Sequence, residues 1–208
     1  MSKIIQEVIL ADALEVLKKL KDDSVDLLLT DPDYGIYNKA VTGFMKDRAD
    51  YGAIDQRISE EYFQEMKRIS KNQVIFGGNY YLDILGNCPA PIIWDKQTGK
   101  NYFADGEFAW TSFQGTLRIY RHQWCGCYRG TERGTSFHPY QKPVVMFKWI
   151  IEKFTKEGDL ICDPFCGGGT TAIASLRSNR NYICVDRDPQ VIETTENRIS
   201  QYWRINKK

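Results

Sequence analysis

Asp31, Pro32 and Tyr34 stand together as Asp31-Pro32-Asp33-Tyr34, directly after the apolar run Val25-Asp26-Leu27-Leu28-Leu29-Thr30. That run reads as a buried strand, so the tetrapeptide falls at a strand's carboxyl end. A carboxylate there can accept one hydrogen of a planar amino group. The backbone carbonyl of Pro32 beside it can accept the second. Tyr34 adds a flat face for stacking. An amine on an unstacked ring needs this combination of edge hydrogen bonds and an aromatic sandwich. Asp-Pro is also an ordinary strand-ending turn, and the tetrapeptide alone does not exceed that reading.

A second constellation lies far downstream, at Leu160-Ile161-Cys162-Asp163-Pro164-Phe165-Cys166-Gly167-Gly168-Gly169-Thr170-Thr171-Ala172. It reads as strand, tight loop and helix start, where glycines let the backbone approach a ligand and unpaired N–H groups face it. Gly167, Gly169 and Ala172 fit the spacing G-x-G-x-x-A of a nucleotide-binding turn. No Lys-Ser/Thr pair follows the glycines, which excludes a phosphate-cradling P-loop. Asn181-Tyr182-Ile183-Cys184-Val185-Asp186 then closes on an acid at the distance ribose binding requires. Asp186 is the candidate for that role. Asp188, just before Pro189, is the better helix cap.

Taken together, these segments resemble the amino-group DNA methyltransferases that use S-adenosylmethionine. That family carries a D-P-P-Y-type tetrapeptide and an F-x-G-x-G cofactor loop, here Asp31 to Tyr34 and Phe165-Cys166-Gly167-Gly168-Gly169. The catalytic motif comes first and the cofactor loop last, as in the circularly permuted beta type. Phe137-His138-Pro139-Tyr140-Gln141-Lys142-Pro143 is similar to the family's H-P-T-Q-K-P segment. Val8-Ile9-Leu10-Ala11-Asp12-Ala13-Leu14 is similar to its G-D-x-L start, whose Asp meets the cofactor adenine. The resemblance implies a Rossmann-like α/β fold: a doubly wound, mostly parallel seven-stranded sheet with an antiparallel edge hairpin. It implies Asp31, Pro32 and Tyr34 as catalytic residues, and Asp12, Phe165, Gly167, Gly169 and Asp186 as cofactor-binding. Asp163 and Thr170 would shape the loop or meet the methionine end, and Lys142 would meet the cofactor carboxylate. Asn79 is either a pocket residue or a helix cap. Asp95 reads as structural.

The elements that must position these residues are legible as well. Apolar runs at 4–10, 25–30, 73–77, 91–94, 107–112, 160–163 and 181–185 predict strands. Helical patterns at 12–20, 59–70, 143–154, 170–178 and 189–202 lie between them. Strands alternating with helices predict a mostly parallel sheet covered on both faces. No helix separates 91–94 from 107–112, so these form the antiparallel hairpin. At 208 residues one domain is expected, with a catalytic part at 1–112, a small recognition region at 113–137 and a cofactor part at 138–208. The loop 36–58 could close over a bound base.

The net charge of +1 at first argues against nucleic acid, but its distribution does not. Residues 1–35 hold four lysines against eight acids, whereas 114–150 hold six basic residues against Glu132 alone. Tyr120, Trp124, Tyr128, Phe137 and Tyr140 are interleaved there. A basic stripe with stacking rings is the footprint of a nucleic-acid surface. Arg118, Arg121, Arg129 and Arg133 are the candidate contacts to double-stranded DNA. The recognition stretch is short, so either specificity is brief or a second subunit, as in a homodimer, or another protein helps. Cys125-Gly126-Cys127 is one residue short of a zinc knuckle and lacks a second pair, so no metal is expected. There is no signal peptide or membrane-length apolar run. A cytoplasmic protein of bacterial or phage origin is expected, with its six cysteines as free thiols.

Two departures stand against the family pattern. Asp33 replaces a proline, giving up backbone rigidity and adding a charge beside the reacting centre. Tyr140 replaces a threonine. Asp31 and Tyr34 are intact, so activity is expected, and any reduction would originate at Asp33. A leading Asp in the tetrapeptide favours adenine N6 over cytosine N4 as the target. An impaired DNA-binding fold is the alternative, and a nicotinamide oxidoreductase ranks below both because it leaves Asp31 to Tyr34 unexplained. A modification enzyme with a restriction partner, one without, and a phage gene would look alike at this level.

Overall fold

The computed structural model describes residues 4–36, 56–99, 104–124, 129, 130, 132 and 141–206. In chain order the strands are β1 (Gln6–Leu10), β2 (Leu27–Thr30), β3 (Gln73–Phe76), β4 (Ile92–Asp95), β5 (Gly106–Thr111), β6 (Arg118–Arg121), β7 (Leu160–Asp163) and β8 (Asn181–Asp186). The helices are α1 (Ala13–Leu17), α2 (Glu60–Ile69), α3 (Leu82–Leu85), α4 (Val144–Phe154), α5 (Thr170–Leu176) and α6 (Pro189–Asn206). A 3₁₀ turn at Gly78–Tyr80 links β3 to α3.

The strands form one sheet in the order β1-β8-β7-β2-β3-β5-β4-β6. Strands β1, β8, β7, β2 and β3 are parallel, and β5 runs antiparallel between β3 and β4. The expected β4–β5 hairpin is present, with β5 facing the sheet. An additional short strand, β6, pairs in parallel with β4 and covers it, making eight strands among the described residues. Arg118-Ile119-Tyr120-Arg121 has charged ends and four residues, so it carries no strand signal of its own.

Alternation across the central strands explains the two faces. Leu27 and Leu29 of β2, Val74 and Phe76 of β3, and Tyr182 and Cys184 of β8 pack with Val144, Phe147 and Ile150 of α4 and Ala172 and Ile173 of α5. Leu28, Ile75, Ile183 and Val185 point the other way, onto Val16 and Leu17 of α1 and Phe63, Met66 and Ile69 of α2. All four residues of β2 are buried, as a strand sandwiched between helical layers must be. The 3-residue spacing of Phe63, Met66 and Ile69 gives α2 its apolar stripe, with acids in its first turn and Lys67 and Arg68 in its last.

The chain leaves β7 toward β8 in one direction and leaves β2 toward β3 in the other. The crevice at the carboxyl ends of β2 and β7 is therefore the topological switch point, where open α/β sheets place their ligands. Both predicted motifs begin there. Among the described residues no helix is long and apolar enough to cross a membrane.

Candidate active site

The carboxyl ends of β2 and β7 are joined by a buried polar knot. Thr30, the last residue of β2, donates its hydroxyl to Asp163 Oδ1 at 2.7 Å. The Thr171 hydroxyl donates to Asp163 Oδ2, and the Phe165 amide donates to Oδ1 at 3.2 Å. Burial pushes the Asp163 carboxyl up to about 7, against the pull of these hydrogen bonds. Asp163 is thus engaged in shaping the glycine loop, the first of the two roles the sequence allows it. Thr170 is similar: its buried hydroxyl donates to the Lys142 carbonyl at 3.1 Å.

Lys142 carries the larger difference from expectation. The cofactor-carboxylate role implied by the resemblance would direct it at the glycine loop. Its buried ammonium instead bonds Asp31 Oδ2 and faces Glu107 Oε2 at 3.2 Å. Glu107 in turn pairs with Lys96 through its other oxygen at 2.6 Å. Burial opposes the charge on Lys142, but Asp31 and Glu107 outweigh it and hold the ammonium protonated. Burial pushes Asp31 up from the ordinary carboxylate range, with Lys142 working against it. For Glu107 burial acts upward, while Lys142 and Lys96 bring it below the usual value. Glu107 was not found by motif. It is the second residue of β5, and an antiparallel strand presents its first residues where its parallel neighbours present their last. The hairpin pattern was the signal that could have located it.

Tyr34 donates its hydroxyl to Asp31 Oδ1, and its ring stacks on Tyr80 at 5.0 Å between centroids. The ring lies over Gly77, where an added Cβ would sit 2.0 Å from the Tyr34 ring, and Gly77 has a left-handed φ of +64°. Asn79 is exposed in the 3₁₀ turn; Gly77 occupies the cap position before the turn and Tyr81 the one before α3. Pro32 is buried. Tyr81 donates its hydroxyl to the Asp33 carbonyl, giving the tetrapeptide a brace where the proline is lacking. The Asp33 carboxylate turns toward Arg187 at 3.5 Å, next to Asp186.

The remaining expected cofactor residues gather on the other side of the crevice. Asp12 caps α1, accepting from the Leu14 amide at 2.8 Å, and Tyr62 of α2 donates to the same carboxylate at 3.2 Å. The Tyr62 ring lies 5.8 Å from that of Phe165. Asp186 accepts the Gly167 amide at 3.0 Å and the Asp188 amide at 3.0 Å, which fixes the loop to β8. Each of these carboxylates still has lone pairs for a ligand's hydroxyl or amine groups. Gly167 and Gly169 both have positive φ, and a Cβ on Gly169 would meet Thr195 at 2.6 Å. Helix α6 clamps the loop: Thr195 donates to the Gly167 carbonyl at 3.0 Å, and the buried Arg198 donates to that of Gly168. Tyr62, Thr195 and Arg198 sit in helical patterns that distinguish core from surface only, so no sequence signal marked them. Asp188 accepts the Gln190 amide at 2.8 Å, the capping role expected of it.

The basic stripe is only partly brought together. Arg118 and Arg121 both lie on β6, three residues apart and hence on opposite faces. Arg118 is exposed, whereas Arg121 pairs with Asp95 at 3.4 Å. Arg129 lies over the Trp124 ring at 5.1 Å. Arg133, the Cys125 and Cys127 pair, most of the 36–58 loop, and Phe137 to Tyr140 lie outside the described residues.

Residues 94–197 match the N6/N4 family described as DNA methylase. The chain is 25% identical over 244 aligned residues to the type II methyltransferase M2.DpnII of Streptococcus pneumoniae, covering 91% of this chain and 87% of that one. It is 26% identical over 246 residues to the type II methyltransferase M2.LlaDCHI of Lactococcus lactis subsp. cremoris, covering 92% and 88%. Among solved structures, M1.HpyAVI in complex with SAM superposes with a TM-score of 0.62 at 22% identity, over 94% of this chain and all (100%) of that one. The PvuII DNA methyltransferase, described as cytosine-N4-specific, superposes with a TM-score of 0.62 at 16% identity, covering 98% and 95%. At such identities the structural likeness speaks for the fold.

Two tests follow from this geometry. Gly77→Ala places a methyl group against the Tyr34 ring in a left-handed backbone that costs an L-residue roughly 1–2 kcal/mol before any clash. Equilibrium urea unfolding should show at least that loss, and a variant as stable as the native chain would mean the ring has room to move. The Asp163 carboxyl is raised in the folded state, so its contribution to stability is present below about pH 4 and lost as pH rises through about 7. Asp163→Asn removes that dependence. Between pH 8 and pH 5 the native chain should gain stability relative to Asp163→Asn, by roughly 2.5 kcal/mol. Parallel unfolding curves at the two pH values would contradict the assignment.

Proposed function

This chain belongs to the N6/N4 DNA methylase family, and on that premise we propose that it transfers a methyl group from S-adenosylmethionine to the exocyclic N6 amino group of adenine in double-stranded DNA. The observation that carries the reading is the junction of the two motifs. The Thr30–Asp163 bond joins the strand end before Asp31 to the head of the glycine loop. Lys142 spans the same gap, with its ammonium on Asp31 and its carbonyl on Thr170. The catalytic carboxylate and the glycine turn therefore form one crevice.

The residues present fit the cofactor. Asp12 and Asp186 offer acceptors, Phe165 and Tyr62 an aromatic wall, and the clamped glycine loop a close backbone approach. S-adenosylmethionine bound there supplies an electrophilic methyl group on a sulfonium sulfur. An exocyclic amine is a poor nucleophile because its lone pair is delocalised into the ring. Asp31 and the Pro32 carbonyl accept its two hydrogens and draw the nitrogen toward tetrahedral geometry. Positive charge that develops on the nitrogen is stabilised by the Asp31 carboxylate, so alignment and electrostatics do most of the catalysis. The substrate amine takes the place on Asp31 that the Tyr34 hydroxyl holds in this structure, and the freed ring stacks the base. Stacking of that kind contributes about 1–3 kcal/mol. The leading Asp of the tetrapeptide favours adenine.

The site residues act in one domain spanning 1–208, with catalytic, recognition and cofactor parts at 1–112, 113–137 and 138–208. Arg118, Arg129 and Arg133 are the proposed DNA contacts, with Arg121 shared with Asp95. The brevity of the recognition part supports a homodimer, in which a second copy supplies the remaining contacts. A cytoplasmic, DNA-accessible location accords with the substrate.

Incubation with labelled S-adenosylmethionine and mixed-sequence DNA, followed by nucleoside mass spectrometry, should yield N6-methyladenine. Asp31→Ala should abolish it, a loss of at least about 10²-fold. N4-methylcytosine would overturn the base assignment and keep the chemistry. Cofactor binding without any methylated nucleoside would overturn the reaction. The Asp33–Arg187 pair is half-exposed on both sides and contributes little. Asp33→Asn should therefore stay within about threefold of native turnover, and a large gain would show that the Asp33 charge restrains the reaction.

A further inference from the structure

Four charged side chains from four separate segments form a ladder of alternating sign that ends on Asp31. Lys96 follows β4, Glu107 is the second residue of β5, Lys142 precedes α4, and Asp31 follows β2. The contacts run Lys96 to Glu107 at 2.6 Å, Glu107 to Lys142 at 3.2 Å, and Lys142 to Asp31. Two aromatic rings support the cations: Lys96 lies 4.9 Å from the Trp94 ring and Lys142 lies 5.7 Å from the Phe76 ring. Glu107 Oε2 is cut off from solvent and faces Lys142. An ammonium held by Asp31 alone would neutralise the carboxylate most fully and weaken it as an acceptor. An ammonium divided between two carboxylates keeps Asp31 ionised and leaves it basic.

We propose that Glu107 is a positioning residue for the reaction: by sharing the Lys142 ammonium it sets how strongly Lys142 holds Asp31, and so how strongly Asp31 grips the substrate amine. The inference rests on the amino-methylation reading only for its kinetic consequence; the charge sharing stands on the geometry. The groups facing Asp31 are Lys142, Glu107, its own neighbour Tyr34, and Asp163 of β7. With Glu107 made neutral, one negative neighbour is gone and Lys142 turns wholly to Asp31, so Asp31 titrates at lower pH. With Lys142 made neutral, burial and Glu107 act unopposed, and Asp31 titrates at higher pH.

The test combines carboxyl ¹³C NMR titration with methylation kinetics across pH, on the native chain, Glu107→Gln, Lys142→Met and Lys142→Arg. The Asp31 resonance is assigned by its loss in Asp31→Asn. The Asp31 midpoint should fall in Glu107→Gln, rise in Lys142→Met, and stay near native in Lys142→Arg, which keeps the charge and controls for folding. In Glu107→Gln kcat should drop about tenfold with KM for DNA and cofactor within about twofold. In Lys142→Met the acid limb of the profile should move to higher pH, with part of the lost rate returning there. A Glu107→Gln midpoint and profile that coincide with native, or a loss confined to KM, would overturn the proposal. If the midpoints shift as described while the native chain methylates no DNA, the charge sharing is upheld and the amino-methylation reading falls.

Discussion

The Lys142 ammonium lies between two carboxylates that the fold has largely removed from water, and this constraint organises the crevice. A buried carboxylate without a counter-charge costs several kcal/mol, so Asp31 and Glu107 can stay ionised at the sheet edge only if a cation is delivered between them. Delivery depends on distant parts of the chain. Lys142 precedes a helix whose Phe147 stacks on Phe76 of β3, and its carbonyl is held by Thr170 at the start of α5. Glu107 reaches the same place only because β5 runs against its neighbours. The packing of α4, the insertion of β5 and the ionisation of Asp31 are therefore one problem with one solution.

Much of this was legible in the sequence because the governing physics is local. The apolar run that ends at Thr30, and helical spacing in Phe63, Met66 and Ile69, announce themselves in any chain, and Asp188-Pro189 announces a helix start. The two loops were legible because the tetrapeptide and the glycine run each close an apolar run and occur together in one order, although either alone is an ordinary turn. What escaped was set by tertiary approach. Glu107 is one charge in an ordinary strand, Thr195 and Arg198 are polar positions in a helix, and Tyr62 is one ring in an amphipathic pattern. Thr195 and Gly167 are 28 residues apart in the chain, and Tyr62 and Asp12 are 50 apart. Lys142 was identified by motif, but its direction depends on the hairpin and could not be read from the motif.

The glycine loop shows how a ligand surface is kept rigid without side chains of its own. Its amides and carbonyls are held from three sides: Asp163 beneath, Asp186 from β8, and Thr195 with Arg198 from α6. Asp163 itself is held by hydroxyls from β2 and α5, which explains why it is drawn inward. The loop can then present its backbone because other residues have already fixed the shape of that backbone.

The Tyr34 ring pair has a kinetic implication. In the free protein Tyr34 already gives Asp31 a donor and already has an aromatic partner in Tyr80. Under the proposed reaction, arrival of a ring amine at Asp31 would therefore be a substitution of one donor for another. Such an exchange would trade one hydrogen bond for another at Asp31 and would require the Tyr34 ring to move. A resting site arranged in this way holds its own surrogate substrate.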